Sequence, residues 1–106
     1  MKPDRKMEFE LLVDAGSILT WMPNKVLHSL GVEPRGIRQF KTIDGKLIKR
    51  ETGVIVVEYD GLDAVSEVVF AEETDGSVMG VTTLESLGFR VNPITGKLEY
   101  IGLLAL

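Results

Sequence analysis

The segment that decides the fold reads Leu11-Leu12-Val13-Asp14-Ala15-Gly16-Ser17-Ile18-Leu19-Thr20, and it places one carboxylate between two apolar runs. A charged group in this setting is costly to bury unless hydrogen-bond donors satisfy it. Gly16 lets the backbone turn back sharply, so we expect its amide to face the Asp14 carboxylate. Two interpretations are open on these residues alone: Asp14 is a functional carboxylate, or it caps a turn, as aspartate often does before glycine.

Composition limits the chemistry that the rest of the chain can add. The chain has 106 residues, so we predict a single domain over residues 1–106, with residues 1–6 flexible. It has no cysteine and one histidine, which excludes disulfide scaffolds, thiol nucleophiles, cysteine-ligated zinc and multi-histidine metal sites. We therefore expect no metal and no cofactor, and any catalysis must come from carboxylates, hydroxyls or backbone groups.

Charge and hydropathy argue against two classes of partner. The chain has 12 Lys and Arg against 16 Asp and Glu, a formal charge of −4, and its lysines are scattered. A nucleic-acid-binding protein normally has a basic stripe instead. The longest apolar run, Val54–Val57, is far shorter than the ~20 residues that cross a bilayer. The charged N-terminus also lacks the apolar stretch of a signal peptide. We expect a cytoplasmic protein that binds neither nucleic acid nor membrane.

Alternation and turn signals predict that most of the chain is β-structure. The segment Met7–Val13 places apolar side chains on one face and glutamates on the other, the pattern of a half-buried strand. Further strands are predicted over Ile18–Met22, Ile37–Ile43, Leu47–Thr52, Val54–Tyr59, Val65–Ala71, Phe89–Val91 and Leu98–Ile101. Turn residues separate several of them, at Asp44-Gly45, Asp60-Gly61, Asp75-Gly76 and Asn92–Gly96. We predict an all-β fold, a small closed β-barrel or sandwich, with one or two short helices.

The two predicted helices are short and end at glycines. One covers Pro23–Leu30 and stops at Gly31, since proline is tolerated in a first turn and glycine can follow a helix in the left-handed conformation. The other covers Thr82–Leu87, where the first residue and Glu85 have the spacing of a capping box, and stops at Gly88. Neither helix is long enough to be stable without packing.

The two helix regions share a sequence. Residues 27–32 and 84–89 both read Leu-x-Ser-Leu-Gly followed by an apolar residue, and each lies downstream of an apolar run with a glycine. Those runs are Leu11–Gly16 and Val78–Gly80. Either the domain has two related halves, each with a strand, a glycine turn and a short helix, or the likeness arises by chance between two capped helices.

Taken in order, these motifs resemble the retropepsin-like aspartic proteases, in particular the small single-domain members found in bacteria and archaea. That family has two apolar residues, then Asp-Thr/Ser-Gly-Ala/Ser, then an apolar strand ending near a proline and a short helix. Later it has an apolar-apolar-Gly turn, a short helix ending in Leu-Gly, and a closing Asn/Asp-Pro-x-Thr-Gly-x-Leu hairpin. The corresponding residues here are Leu12–Ser17, Thr20–Pro23, Val78–Gly88 and Asn92–Leu98. The ordered set covers the chain from about Glu8 to Leu98 and is more specific than any one motif.

The resemblance implies an aspartic endopeptidase that cleaves extended peptides, on a closed barrel of the retropepsin type. Asp14 would be the catalytic carboxylate, and Ala15, Gly16 and Ser17 would complete the active-site loop. Such proteolysis uses two carboxylates that share one proton. This chain has a single Asp-x-Gly, so a homodimer would pair Asp14 with its copy. The flap over the substrate would consist of Ile43, Asp44, Gly45, Lys46 and Leu47, and the substrate-pocket candidates are Val78, Met79 and Gly80.

The chain departs from the family pattern in two places. Ala15 stands where the family has threonine or serine, whose hydroxyl hydrogen-bonds across the dimer, so we expect a weaker dimer or lower activity. Relatives also carry a strand before the one at Met7–Val13. The apolar tail Ile101–Leu106 is a candidate interface strand; a frayed end or a core edge is the alternative.

Two other functions stay open. The first is a catalytically inactive peptide-binding or protein-interaction module on the same fold, and the second is an unrelated small β-barrel in which Asp14 only caps a turn. Of the remaining residues, we expect His28 at the surface and Trp21 in the core or an interface. Lys46, Lys49 and Arg50 are expected on the solvated face of a hairpin.

Overall fold

Strands dominate the fold. The structure is a computed structural model that describes residues 5–103 and 105, of which 43% lie in strands and 12% in helices. The strands are β1 (Leu12–Val13), β2 (Thr20–Pro23), β3 (Gly36–Lys41), β4 (Leu47–Tyr59), β5 (Leu62–Ala71), β6 (Val78–Met79), β7 (Phe89–Val91) and β8 (Leu98–Tyr100). The helices are α1 (Asn24–Ser29) and α2 (Val81–Ser86). The β-rich class and the two short helices are confirmed; the flexibility predicted for residues 1–6 falls largely on residues 1–4, which lie outside the described residues.

Six of the strands form one mixed sheet in the order β1-β6-β2-β5-β4-β3, and β7 pairs with β8 in a separate ribbon. The β1–β6 and β2–β5 pairs are parallel, whereas β2–β6, β3–β4 and β4–β5 are antiparallel. Within the described residues, β1 and β3 are the two edges of the sheet and do not pair with each other. The sheet is therefore open, and the predicted closed barrel was not found.

The strand β4 is continuous through Gly53, where the sequence predicted a break between two strands. Its first half pairs with β3 and its second half with β5, and the change of partner comes at Thr52. A Cβ on Gly53 would lie 3.0 Å from the Glu33 carbonyl oxygen and 3.0 Å from Cγ1 of Val32. Gly53 therefore makes room for the connection between α1 and β3, which crosses β4 at this point.

Two hydrophobic clusters stabilise the sheet and the helices. The first is formed by Met22, Leu27, Val32, Ile55, Val68 and Phe70, and the second by Ala64, Leu84, Leu87 and Phe89. Leu11 packs on the first cluster and Val13 on the second, whereas Leu12 between them is exposed, as the predicted alternation requires.

The predicted strand at Met7–Val13 is paired only over its last two residues. In the described part of the chain, no strand lies beside residues 7–11. Met7 and Phe9 are accordingly 50% and 43% exposed, because an unpaired segment at the edge has no layer to bury its apolar face. The predicted half-buried strand is therefore wrong for residues 7–10, and the alternation between buried and exposed side chains is seen only at residues 11–13.

Local turn chemistry was predicted well, and one helix cap was not. Gly31 and Gly88 end the helices at φ +75° and +88°, and the Asp60-Gly61 turn between β4 and β5 has positive φ at both residues. The capping box at Thr82 is absent: the N-cap of α2 is Gly80, with no side-chain cap. The Thr82 hydroxyl donates instead to the carbonyl of Ile18, at 2.7 Å.

The two apolar runs of the sequence repeat lie next to each other. Leu12 is opposite Val78 and Val13 is opposite Met79 in the parallel β1–β6 pair. Because β6 also pairs with β2, it lies between two strands that are consecutive in the chain. The connection from β1 to β2 must therefore pass across the end of β6. Among the described residues, neither helix is long and apolar enough to span a membrane.

The space around Gly53 gives a stability prediction. Gly53→Ala should lower the free energy of unfolding by about 1–3 kcal/mol, because the new methyl group would press on the backbone of the crossing segment. Urea denaturation of the purified variant measures this directly. Gly36→Ala is the matched control, since it also changes a strand glycine but its Cβ meets nothing within 4 Å. Equal losses in the two variants would contradict the assignment.

Candidate functional site

Asp14 lies in an exposed turn immediately after β1. The amide of Gly16 donates to Oδ1 of Asp14 at 2.9 Å, and the amide of Ser17 donates to the Asp14 carbonyl at 3.0 Å. A Cβ on Gly16 would lie 3.2 Å from Oδ1, so glycine permits this close approach. Among the described residues, Oδ2 of Asp14 accepts no hydrogen bond. Asp14 thus caps its own turn and still presents a carboxylate oxygen to solvent, so the two interpretations of this residue are compatible.

The backbone of the Asp14 loop, residues 14–19, is held by the beginning of α2. Three consecutive amides there donate to the segment that leads from the loop into β2. Gly80 donates to Oγ1 of Thr20 at 3.0 Å, Val81 to the Ser17 carbonyl at 2.8 Å, and Thr82 to the Ile18 carbonyl at 3.1 Å. These are amides that a helix leaves without an intrahelical partner. The loop therefore caps α2 in place of a side chain, and the same hydrogen bonds fix the backbone of the loop.

The predicted pocket residues Val78, Met79 and Gly80 lie directly beside the loop. The amide of Asp14 donates to the Met79 carbonyl at 3.0 Å. Val78 and Met79 are half-buried, and Gly80 is buried. A Cβ on Gly80 would come within 2.4 Å of the Leu19 carbonyl carbon and oxygen, so only glycine fits between β6 and the loop. Met79 thus binds the start of the loop through its carbonyl, and Gly80 packs against the backbone at the end of the loop.

The predicted flap is the tip of the β3–β4 hairpin. The hydroxyl of Thr42 accepts from the Lys46 amide at 3.0 Å and donates to the Asp44 carboxylate, and the Gly45 amide donates to the Thr42 carbonyl at 2.9 Å. Ile43 and Leu47 are exposed, the first fully and the second by 63%. In the described part of the chain, no hydrogen bond joins this tip to the Asp14 loop.

We call residues 36–52 the hairpin arm, and one face of it is held against the rest of the protein. The Phe40 ring contacts Trp21 of β2, with ring centroids 4.9 Å apart. Arg38 and Arg50 are directly opposite each other across β3 and β4 and project from the same face as Phe40. Like charges in that position repel. Each arginine is compensated by a carboxylate outside the arm.

Both arginines form bidentate ion pairs with carboxylates outside the arm. Arg38 donates through Nε and Nη2 to Glu67 of β5, the second bond being 3.0 Å. Arg50 donates to Asp75 through Nε at 2.7 Å and Nη2 at 3.0 Å, and a third carboxylate, Glu72, lies 3.6 Å from Nη2. The arm is therefore attached on one strand to β5 and on the other to the β5–β6 loop.

The Arg50–Asp75 pair is the better shielded of the two, with both side chains 13% exposed. The hydrogen bonds from Arg50 lower the pKa of Asp75, burial opposes this, and the Glu72 amide, 2.8 Å from Oδ2, lowers it further. The same bonds raise the pKa of Arg50. The expectation of Arg50 on a solvated face was wrong. The position of Arg50 in the alternation could have indicated this, because Ile48, Arg50 and Thr52 lie on the inward face of β4.

The remaining predicted surface residues are placed as expected. His28, Lys46 and Lys49 are exposed, although the His28 ring lies 5.2 Å from that of Phe70. Trp21 is half-buried against Phe40. Within residues 5–103 and 105, no group of three or more His, Cys, Asp or Glu side chains could hold a metal ion.

Asp14 is exposed, and the part of the chain that the structure describes does not enclose it in a cavity. Two open surface depressions, of about 270 and 200 Å³, lie on either side of the Arg50–Asp75 pair. Neither is lined by a residue of the Asp14 loop.

Comparisons of the chain with protein-family models, with curated proteins and with solved structures found no match.

The ion pair of the arm gives a pH-dependent prediction. Asp75→Asn should lower the free energy of unfolding at neutral pH by about 1.5–3 kcal/mol, because it removes charge-assisted hydrogen bonds. Since pairing lowers the pKa of Asp75, its contribution is complete above the ordinary aspartate pKa and is lost as the pH falls through the lowered value. Urea unfolding along a pH series should show a difference from wild type that shrinks in acid.

The control for this series is Glu73→Gln. Glu73 pairs with Lys25 at 3.5 Å, but both side chains are more than 80% exposed, so its loss should cost about 0.5 kcal/mol or less. A cost for Asp75→Asn that does not change with pH, or an equal cost for Glu73→Gln, would contradict the assignment.

Proposed function

We propose that the protein is a cytoplasmic, homodimeric aspartic endopeptidase of the retropepsin type that hydrolyses extended peptides. The observation that carries the proposal is the Asp14 loop, in which an exposed carboxylate stands on a backbone fixed by the amides of Gly80, Val81 and Thr82. A solvent-facing carboxylate on a rigid support is what a positioned acid or base requires. The ordered motifs shared with retropepsin-like proteases support the choice of reaction.

The proposed reaction needs two copies of the chain. One carboxylate accepts a proton from the attacking water while the other, protonated, donates to the oxygen of the scissile amide. Two carboxylates ~3 Å apart cannot both ionise, so they share one proton and titrate as a pair. In a contact with twofold symmetry, a residue on the axis meets its own copy, so one Asp14 from each chain completes the pair.

Exposed apolar side chains around the loop support association. Leu12 and Ile18, on either side of Asp14, are 75% and 71% exposed. Apolar surface of this kind is typical of interaction sites. It would be covered if two loops met, and the second chain would supply the wall that Asp14 lacks.

The C-terminal tail offers a second apolar surface for the dimer. The amides of Ile101 and Gly102 both donate to the Gly88 carbonyl, at 2.8 and 3.1 Å, so the start of the tail is anchored after α2. Ile101 and Leu103 are nevertheless 58% and 70% exposed. Of the predicted interface strand Ile101–Leu106, Leu104 and Leu106 lie outside the described residues.

The tip of the hairpin arm, residues 43–47, is the proposed flap. An extended peptide can add to a sheet as a further strand, with main-chain hydrogen bonds for affinity and side-chain pockets for specificity. The exposed Ile43 and Leu47 at the tip are suited to contact apolar peptide side chains. The contacts of Phe40, Arg38 and Arg50 hold the base of the arm while leaving the tip accessible.

Substitution of the proposed catalytic carboxylate tests the function. Asp14→Asn should reduce cleavage of a peptide library by at least about a hundredfold, because the amide cannot act as general acid or base. Mass spectrometry of the digested library measures this. Asp63→Asn is the matched control, as it neutralises an exposed aspartate on β5 and should leave cleavage unchanged. Undiminished cleavage by Asp14→Asn would overturn the proposal.

The alternative function is a catalytically inactive peptide-binding module on the same fold. The observation that favours it is Ala15, which is exposed beside Asp14 and carries no hydroxyl. In the family that the chain resembles, a threonine or serine at this position bonds across the dimer. Without that bond the two carboxylates are held less firmly, and the site can keep its peptide groove without turnover.

Restoring the hydroxyl distinguishes the two functions. Ala15→Thr should increase the cleavage rate and lower the dimer dissociation constant by about threefold to tenfold, which corresponds to about 0.5–1.5 kcal/mol for one hydrogen bond. Sedimentation equilibrium and peptide cleavage measure the two effects on the same samples. A dimer that binds peptide but gains no turnover would favour the module, and a strict monomer at high concentration would contradict both.

A further inference from the structure

Three hydroxyl side chains form a buried chain of hydrogen bonds beneath the Asp14 loop. Oγ1 of Thr20 lies 2.6 Å from Oγ1 of Thr83, which lies 2.6 Å from Oγ of Ser66. The three residues are 1%, 0% and 6% exposed and come from β2, α2 and β5. We call this set the hydroxyl relay. It connects three elements that are far apart in the sequence.

The Ser66 end of the relay sets the donor and the acceptor of each hydrogen bond in it. At one end the amide of Gly80, which can only donate, bonds Oγ1 of Thr20 at 3.0 Å. At the other end the Ser66 hydroxyl donates to the Glu67 carbonyl, which can only accept, at 3.1 Å. Each hydroxyl has a single hydrogen. With the Ser66 hydrogen used, Thr83 must donate to Ser66 and Thr20 must donate to Thr83.

In this order the Thr20 hydrogen has an acceptor in Thr83, while the Thr20 oxygen accepts from the Gly80 amide. No hydroxyl hydrogen in the relay is left over, and the described residues contain no buried side-chain nitrogen or oxygen without a partner. Reversal of any one bond would leave two hydrogens facing each other or one buried donor without an acceptor, which is costly in the protein interior. The relay therefore has one satisfied arrangement.

We propose that Thr20, Thr83 and Ser66 are positioning residues for Asp14. The relay holds the Gly80 amide, and the next two amides, of Val81 and Thr82, hold the carbonyls of Ser17 and Ile18 in the Asp14 loop. A change in the relay is therefore transmitted to the Asp14 turn through three adjacent bonds. The effect on catalysis rests on the proposed function, whereas the effect on the geometry of the loop does not.

A purely apolar core at this point would not serve the same purpose. The amide of Gly80 points into the interior, and within the described residues its acceptor is the hydroxyl oxygen of Thr20. Valine in place of Thr20 or Thr83 would preserve the shape of the core but interrupt the order of donors. The hydroxyls thus hold the loop in one register, beyond the contribution that the methyl groups of the two threonines make to packing.

The central test is Thr83→Val, which removes the middle hydroxyl and keeps the shape of the side chain. We expect the hydrogen-exchange rates of the Gly80, Val81 and Asp14 amides to rise about tenfold more than those of the β4–β5 ladder in the same variant. The amide proton resonance of Gly16, which bonds the Asp14 carboxylate, should also shift. Thr83→Ser restores the hydroxyl and should return both signals toward wild type.

The matched control is Thr52→Val, which changes a buried threonine outside the relay in the same way. If Thr83 only stabilised the core, both variants would alter exchange evenly across the sheet and leave the Gly16 resonance in place. That result would overturn the inference. Ser66→Ala, at the far end of the relay, is the milder variant should Thr83→Val not fold. It should give the same pattern with a smaller amplitude, and no local change in it would equally overturn the inference.

Activity gives a separate measurement. With a peptide that the wild type cleaves, Thr83→Val should lower kcat about tenfold and change KM by less than about twofold, since the binding surface is intact and the carboxylate is misplaced. Thr83→Ser should restore kcat. A wild type that cleaves no peptide would refute the proposed function but leave the exchange and resonance tests of the relay valid. A cleaving wild type with unchanged kcat in Thr83→Val would refute the relay's effect on catalysis.

Discussion

The arrangement of strands and helices in this protein depends on the amides at the start of α2 that have no acceptor within the helix. A helix leaves its first amides without intrahelical acceptors, and here no side chain caps them. They donate instead to the Asp14 loop and to Thr20, which are about sixty residues earlier in the chain. One requirement of a six-residue helix thus fixes the path between β1 and β2. It also explains the glycine at position 80, where a side chain would collide with Leu19.

The hairpin arm is governed by a second electrostatic constraint. Arg38 and Arg50 are direct neighbours across β3 and β4, an arrangement that destabilises an isolated hairpin. The protein supplies a carboxylate to each, Glu67 from β5 and Asp75 from the β5–β6 loop. These two ion pairs offset the repulsion between the arginines and attach the arm to β5 and to the β5–β6 loop. The arm held in this way has a fixed base, the proposed flap at its tip is exposed, and its docking depends on the ionisation of Asp75.

The features that the sequence predicted correctly are short-range. The helix ends at Gly31 and Gly88 follow from the freedom of glycine to adopt positive φ. The turn at Asp60-Gly61 follows because aspartate and glycine both tolerate positive φ. The features that it predicted wrongly involve distant partners. Thr82 has the spacing of a capping box, but its hydroxyl bonds Ile18, 64 residues away. Arg50 was predicted to be solvated because its partner, Asp75, lies 25 residues away in the sequence.

By itself, the sequence determined the β-rich class, the two short helices and the turn at Asp14, because periodicity, glycine and aspartate act over a few bonds. It also excluded chemistry that needs cysteine or several histidines in one chain, because it contains no cysteine and one histidine. Only the tertiary structure decided that β6 lies between β1 and β2, that the sheet stays open, and that Thr20, Thr83 and Ser66 meet in the core. Those outcomes depend on which distant donors and acceptors satisfy each other once water is excluded, and no local pattern of residues specifies that choice.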